Sequence, residues 1–162
     1  MTPAQLAKSG TEHAHQTAIF AWAAVAQNRG FHNADLWATI GILPEVDIDE
    51  LFPLTSPAVP ELKWLHAIAN GGSRGDDAKS RAIRGGQLKA EGVKSGVSDI
   101  CLPVRRGEWS GLYIELKKEG GKPSPEQLEF GEFVKTQGYG FIVCYGWQEA
   151  VKVIKDYMTW GQ

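Results

Sequence analysis

Along residues 11–28, TEHAHQTAIFAWAAVAQN, apolar side chains recur at helical spacing, with Ile19, Ala23 and Ala26 on one stripe. Alanine is abundant and neither Pro nor Gly interrupts the run, so the spacing predicts a helix, with Ser9 or Thr11 as its cap. Followed back one turn at a time, the stripe reaches Gln16 and Glu12. An inward face that ends in polar groups belongs to a helix pointing one end at a polar site. Residues 33–60 break the pattern with Pro44, Pro53, Pro57, Pro60, a Trp and several acids, and predict an irregular acidic excursion with room for one short helical turn. Whether it serves as a dimer surface, a lid or decoration is open at this stage.

Periodicity returns at residues 62–69, which read as a first strand before Asn70-Gly71-Gly72. Residues 76–91 predict a basic helix stopped by Gly92. Residues 99–104 and 111–117 predict two paired strands joined by a turn at 105–108. Ser124-Pro125-Glu126-Gln127 has the form of a helix start: Ser at the cap, Pro at the first helical position, Gln at the reciprocal capping place. That helix runs to about Gln137, with Gly138 as its stop. The apolar run 139–145 predicts a buried strand, and 147–157 a closing amphipathic helix. The alternation of elements is that of a mixed α/β domain, one small sheet with helices packed on it.

Composition fits this picture. With 162 residues, 43% hydrophobic and 22% charged, the chain is of a size and make-up to form one globular domain over 1–162, carrying the 33–60 insertion. No run approaches the ~20 apolar residues of a membrane span. Residues 1–10 lack a basic start followed by an apolar core, so no signal peptide is expected and the expected location is cytoplasmic. Cys101 and Cys144 lie in apolar runs and read as small buried hydrophobes, a bridge between neighbouring strands being the alternative. The net charge of −2 conceals an asymmetry: residues 70–122 hold eleven of the 17 Lys and Arg against seven acids. A basic middle in an acidic chain suits contact with phosphate, although charge runs are more often solvated faces.

In the strand 113–117, alternation places Tyr113, Glu115 and Lys117 on one face and Ile114 and Leu116 on the other. A carboxylate and an ammonium on an otherwise apolar strand are costly to bury unless paired or bound to metal. Asp99 opens the preceding strand and can lie close to Glu115. Two carboxylates beside a lysine suit phosphodiester hydrolysis: the carboxylates hold a hard divalent cation, and the lysine orients or deprotonates water or neutralises phosphate charge. On spacing alone, a surface ion pair on an edge strand is the preferred reading.

The sequence at this point resembles a known family. Asp99 followed by Glu115-Leu116-Lys117 resembles the PD-(D/E)xK nuclease pattern and, more narrowly, a stand-alone phage-type VRR-NUC domain. Glu12-His13-Ala14-His15-Gln16, residues 65–72, residues 88–99 and Ser124-Pro125-Glu126-Gln127 extend the likeness in order, leaving 33–58 without a counterpart. The resemblance implies a restriction-endonuclease-like α/β core and a Mg²⁺- or Mn²⁺-dependent DNA endonuclease. It implies Asp99, Glu115 and the Leu116 carbonyl as metal ligands and Lys117 as the catalytic lysine. Glu12 would reach the metal from the first helix and Gln127 would stand at the site edge. It further implies a homodimer acting on branched DNA such as a four-way (Holliday) junction in virus replication or repair. Ser98 departs from the family, which more often has proline there.

Plainer readings stand beside these. The plainer reading of Gln127 is a capping-box residue and of Glu12 a solvated helix acid, with the site reading preferred for both. His66 reads as a packed strand histidine, and His13, His15 and His32 as exposed. Lys118 and Lys122 follow the site and are candidates for the DNA backbone, as are Arg74, Arg81, Arg84 and Lys89. A competing function is a junction-binding module that keeps the fold without cutting; the complete acid-acid-lysine set argues against it. An unrelated α/β enzyme is disfavoured by the lack of a phosphate-binding glycine motif or nucleophile elbow.

Overall fold

The computed structural model describes residues 1–39, 57–69 and 78–160, apart from the side chains at 78–81 and 84. A short helix α1 (Pro3–Leu6) opens the chain, closed by a reciprocal cap in which Thr2 and Gln5 each accept from the other's backbone N–H. Helix α2 (Glu12–Thr39) follows, and Thr11 caps it by accepting from the Ala14 N–H at 3.1 Å. The helix is longer than the sequence pattern predicts. It breaks at Gly30 (φ 79°) and resumes, so 33–39 are helical and not part of an irregular excursion. Tertiary contacts hold the second half: Phe31 stacks on Trp22 with ring centroids 5.7 Å apart, and Trp22 Nε1 donates to Asp35 at 2.9 Å. Of the remainder of the predicted excursion, residues 40–56 lie outside the described residues, 57–59 are irregular and Pro60 opens the next element.

The predicted first strand is largely replaced by a 3-10 turn, Pro60–Trp64, leaving a strand β1 of two residues, His66–Ala67. Helix α3 (Ala78–Ala90) matches the basic helix of the sequence pattern, and its described side chains are almost all exposed. Strand β2 (Ile100–Leu102) pairs antiparallel with β1 and with β3 (Leu112–Lys117). Helix α4 (Pro125–Thr136), strand β4 (Gly140–Tyr145) and helix α5 (Trp147–Thr159) complete the chain, with β4 parallel to β3. The result is a small mixed four-stranded sheet in the order β1-β2-β3-β4, flanked by helices, the mixed α/β architecture that the element order predicts.

The even positions of β3, Leu112, Ile114 and Leu116, bury against Ile19 and Trp22 of α2 and Ile154 of α5 in one continuous core. On the opposite face α4 packs, where the Phe141 ring lies against Gly131 and Tyr113 meets Phe130 edge-on at 5.2 Å. Strand β4 was expected to be buried; it ends the sheet, and Cys144 is its one fully enclosed residue. Cys101 and Cys144 are both free and buried, and β3 runs between their strands, which removes the bridge as an alternative. Burial pushes the Cys144 thiol up to about 12, so it stays protonated.

Candidate active site

The register of β2 against β3 sets Ile100 opposite Ile114, so Asp99 stands level with Glu115. Two backbone hydrogen bonds fix that aspartate. The Ile68 N–H donates to the Asp99 carbonyl at 2.8 Å, and the Leu116 N–H donates to the Asp99 carboxylate at 2.8 Å. The loop before it is pressed on the start of α4. A Cβ on Gly96, which has φ +84°, would lie 2.7 Å from Glu126 Cβ and 2.9 Å from its backbone, so glycine is required there. This contact locks the Asp99 loop to the helix that carries Gln127.

Glu115 is fully buried and Lys117 is 7% exposed. Their side chains form an ion pair, and Gln127 Nε2 donates to the same Glu115 oxygen, Oε1. Gln127 also serves the helix cap, since its Oε1 accepts from the Ser124 N–H at 2.8 Å. The capping and site readings of this residue are therefore compatible, one end of the amide for each. Glu115 Oε2 is buried with no hydrogen-bond partner. Burial raises the Glu115 carboxyl to about 7; the Lys117 hydrogen bond opposes the rise and the nearby Asp99 carboxylate adds to it. Burial alone would lower Lys117, but Glu115, Glu12 and Asp99 outweigh it and hold the ammonium above the ordinary lysine range.

Glu12 comes in from the first turn of α2 and accepts from the Lys118 N–H at 3.5 Å, with its charge felt at Lys117. The main-chain oxygen of Leu116 faces the Lys117 ammonium at 3.3 Å. Asp99, Glu115, Leu116, Lys117, Gln127 and Glu12 thus converge at one end of β3. Lys118, Lys122 and Lys89 are exposed. Arg81 and Arg84 lie on α3 with side chains outside the description, and Arg74 is outside the described residues. His66 is exposed, with Nδ1 2.8 Å from the Trp64 carbonyl, because the two-residue strand gives it no layer to pack under. His13 and His32 are exposed as expected. His15 is not: its ring leans toward Gly146 and its Nδ1 is enclosed.

The donor set suits a hard divalent cation. A buried carboxylate oxygen without a hydrogen-bond donor, level with a second carboxylate and next to a main-chain carbonyl, is an all-oxygen site. Among the described residues no group of three or more His, Cys, Asp or Glu side chains gathers into a closed cage. Two carboxylates are enough for a magnesium-type ion that keeps several waters.

The fold and this cluster define a nuclease-type class, and comparison with known proteins agrees. The VRR-NUC domain model matches residues 62–148, a span that includes Asp99, Glu115–Lys117 and Gln127 and leaves out Glu12. The chain belongs to the VRR-NUC family and carries a nuclease-type domain, with DNA as the implied substrate. A solved structure called VRR_NUC domain protein shares the fold, with a TM-score of 0.60 at 22% identity over 94% of this chain and 91% of the other. No curated protein matches the chain in sequence. Among the described residues no helix is long and apolar enough to cross a membrane.

Proposed function

We propose that this protein is a Mg²⁺- or Mn²⁺-dependent DNA endonuclease that cuts branched DNA, such as four-way junctions, as a homodimer. The observation that carries the chemistry is the buried Glu115 carboxylate, one oxygen without a hydrogen-bond partner, level with Asp99 and paired with Lys117. In this reading Asp99, Glu115 and the Leu116 carbonyl hold the cation. When bound, the cation polarises the phosphoryl oxygen and lowers the pKa of an attacking water. Lys117 contributes a positive charge where negative charge develops on the phosphate. Gln127 holds the Glu115 carboxylate in place from the start of α4, and Glu12 adds a further carboxylate from α2.

In this reading the exposed Lys118 and Lys122 meet the phosphate backbone beside the cut, and Lys89, Arg81 and Arg84 of the basic helix are further candidates for it by sequence. Arg74 joins them by its place in the basic middle of the sequence. The branched substrate and the homodimer rest on the family resemblance; a two-fold pair would set two sites on opposed strands. Incubation of labelled four-way junctions, flaps, nicked duplexes and single strands with Mg²⁺, Mn²⁺ or EDTA tests the reading. Metal-dependent cleavage fastest on branched DNA is expected. Tight junction binding with no turnover would instead support a non-cutting module, and no cleavage with either metal would overturn the nuclease reading.

A further inference from the structure

The site face continues one strand beyond Glu115 and Lys117. Parallel pairing sets Glu115 opposite Val143 and Lys117 opposite Tyr145. Alternation along both strands then places Tyr145 on the same face as the two charged residues, beside the lysine. Helix α4 covers the other end of this face, over Tyr113 and Phe141. At the Lys117 end that cover stops: Tyr145 is 47% exposed beside an almost fully buried lysine. Single exposed aromatics are ordinary on protein surfaces. This one stands one strand spacing, about 4.8 Å, from the candidate catalytic lysine.

Its backbone is also held. The Tyr145 N–H donates to Glu149 at 2.7 Å, and the next N–H, from Gly146, donates to the Lys117 carbonyl at 2.9 Å. Gly146, at φ +85°, turns the chain directly into α5. The backbone that carries the ring is thereby fixed beside Lys117.

We propose that Tyr145 is a stacking platform for a nucleobase left without a stacked neighbour on one face, flanking the phosphodiester held at Lys117. The proposal rests on the nuclease reading above. A base within a duplex has both faces covered by its neighbours, whereas a base at a branch point, nick or single strand has a face to offer. Stacking is tolerant of base identity. Tyr145 would therefore select for DNA shape and not for sequence, and the exposed Lys118 and Lys122 would hold the adjoining phosphates.

The test compares kcat/KM for wild-type, Tyr145→Ala and Tyr145→Phe on DNA with an unpaired nucleotide at the cut. Each is also measured on the same DNA carrying an abasic residue at that nucleotide. Tyr145→Ala is expected to lose about 5- to 150-fold on the intact substrate, the range of one base stack. Tyr145→Phe should retain wild-type activity. The abasic residue should cost wild-type the same factor and cost Tyr145→Ala nothing further. An unchanged Tyr145→Ala, an equal loss in Tyr145→Phe, or a Tyr145→Ala loss undiminished on abasic DNA would each overturn the platform while leaving the nuclease reading intact. A wild-type protein that cuts no DNA would remove both.

Discussion

The two faces of β3 are both largely buried and opposite in character. On one, Leu112, Ile114 and Leu116 are nearly sealed from solvent among the side chains of α2 and α5. On the other, Glu115 and Lys117 are sealed to almost the same degree with one ion pair and an amide for company. The apolar face stabilises the fold by removing surface from water. The charged face costs stability, because a buried ion pair rarely recovers the desolvation of its partners. A strand that tolerates such a face is held together by its other side, and the arrangement makes sense if the charged side has work to do.

The comparison is easiest to break through activity. Glu115→Gln keeps the shape of the side chain and removes its charge, and is expected to lower metal-dependent cleavage by at least about 100-fold. Ile114→Ala, on the opposite face, is expected to cost about 2–5 kcal/mol of stability, read as a lower denaturation midpoint. If Glu115→Gln matched that loss of stability, the two faces would not differ as described.

pH sharpens the same contrast. In metal-free protein the folded Glu115 carboxyl titrates near 7 against 4.5 for a free glutamate. A folded acid with a raised pKa prefers its proton, so its favourable contribution is complete below 4.5 and is lost as pH rises through 7. Wild-type stability measured in EDTA should therefore fall across this window relative to Glu115→Gln. Parallel profiles for the two proteins would contradict it. A smaller effect is expected beside Asp99: Ser98 is fully buried and its hydroxyl has no hydrogen-bond partner. Ser98→Ala should raise stability by about 1 kcal/mol in a thermal melt.

How much of this was legible in the sequence depended on the range of the interactions. The β3 alternation, the Thr11 cap and the Ser124–Gln127 box are local, and each took the form its residues predict. The closeness of Asp99 to Glu115 also followed, because a short antiparallel pair leaves little freedom of register. Features set by distant partners were missed. Helix α2 resumes after Gly30 because Trp22 receives Phe31 and Asp35. β1 shrinks to two residues because a 3-10 turn takes the residues before it. Tyr145 reads as part of a buried strand until the sheet order shows β4 to be the last strand. Its neighbourhood to Lys117 had no signal in the sequence beyond an aromatic residue ending a strand, since parallel register is set by the whole sheet.

The most direct test of the account is the cleavage of labelled branched DNA by Lys117→Ala, measured beside wild-type in Mg²⁺ and Mn²⁺, with both proteins checked by thermal melting. The account predicts cleavage by wild-type in the presence of metal and none by a folded Lys117→Ala. A folded Lys117→Ala that cuts at the wild-type rate would contradict it.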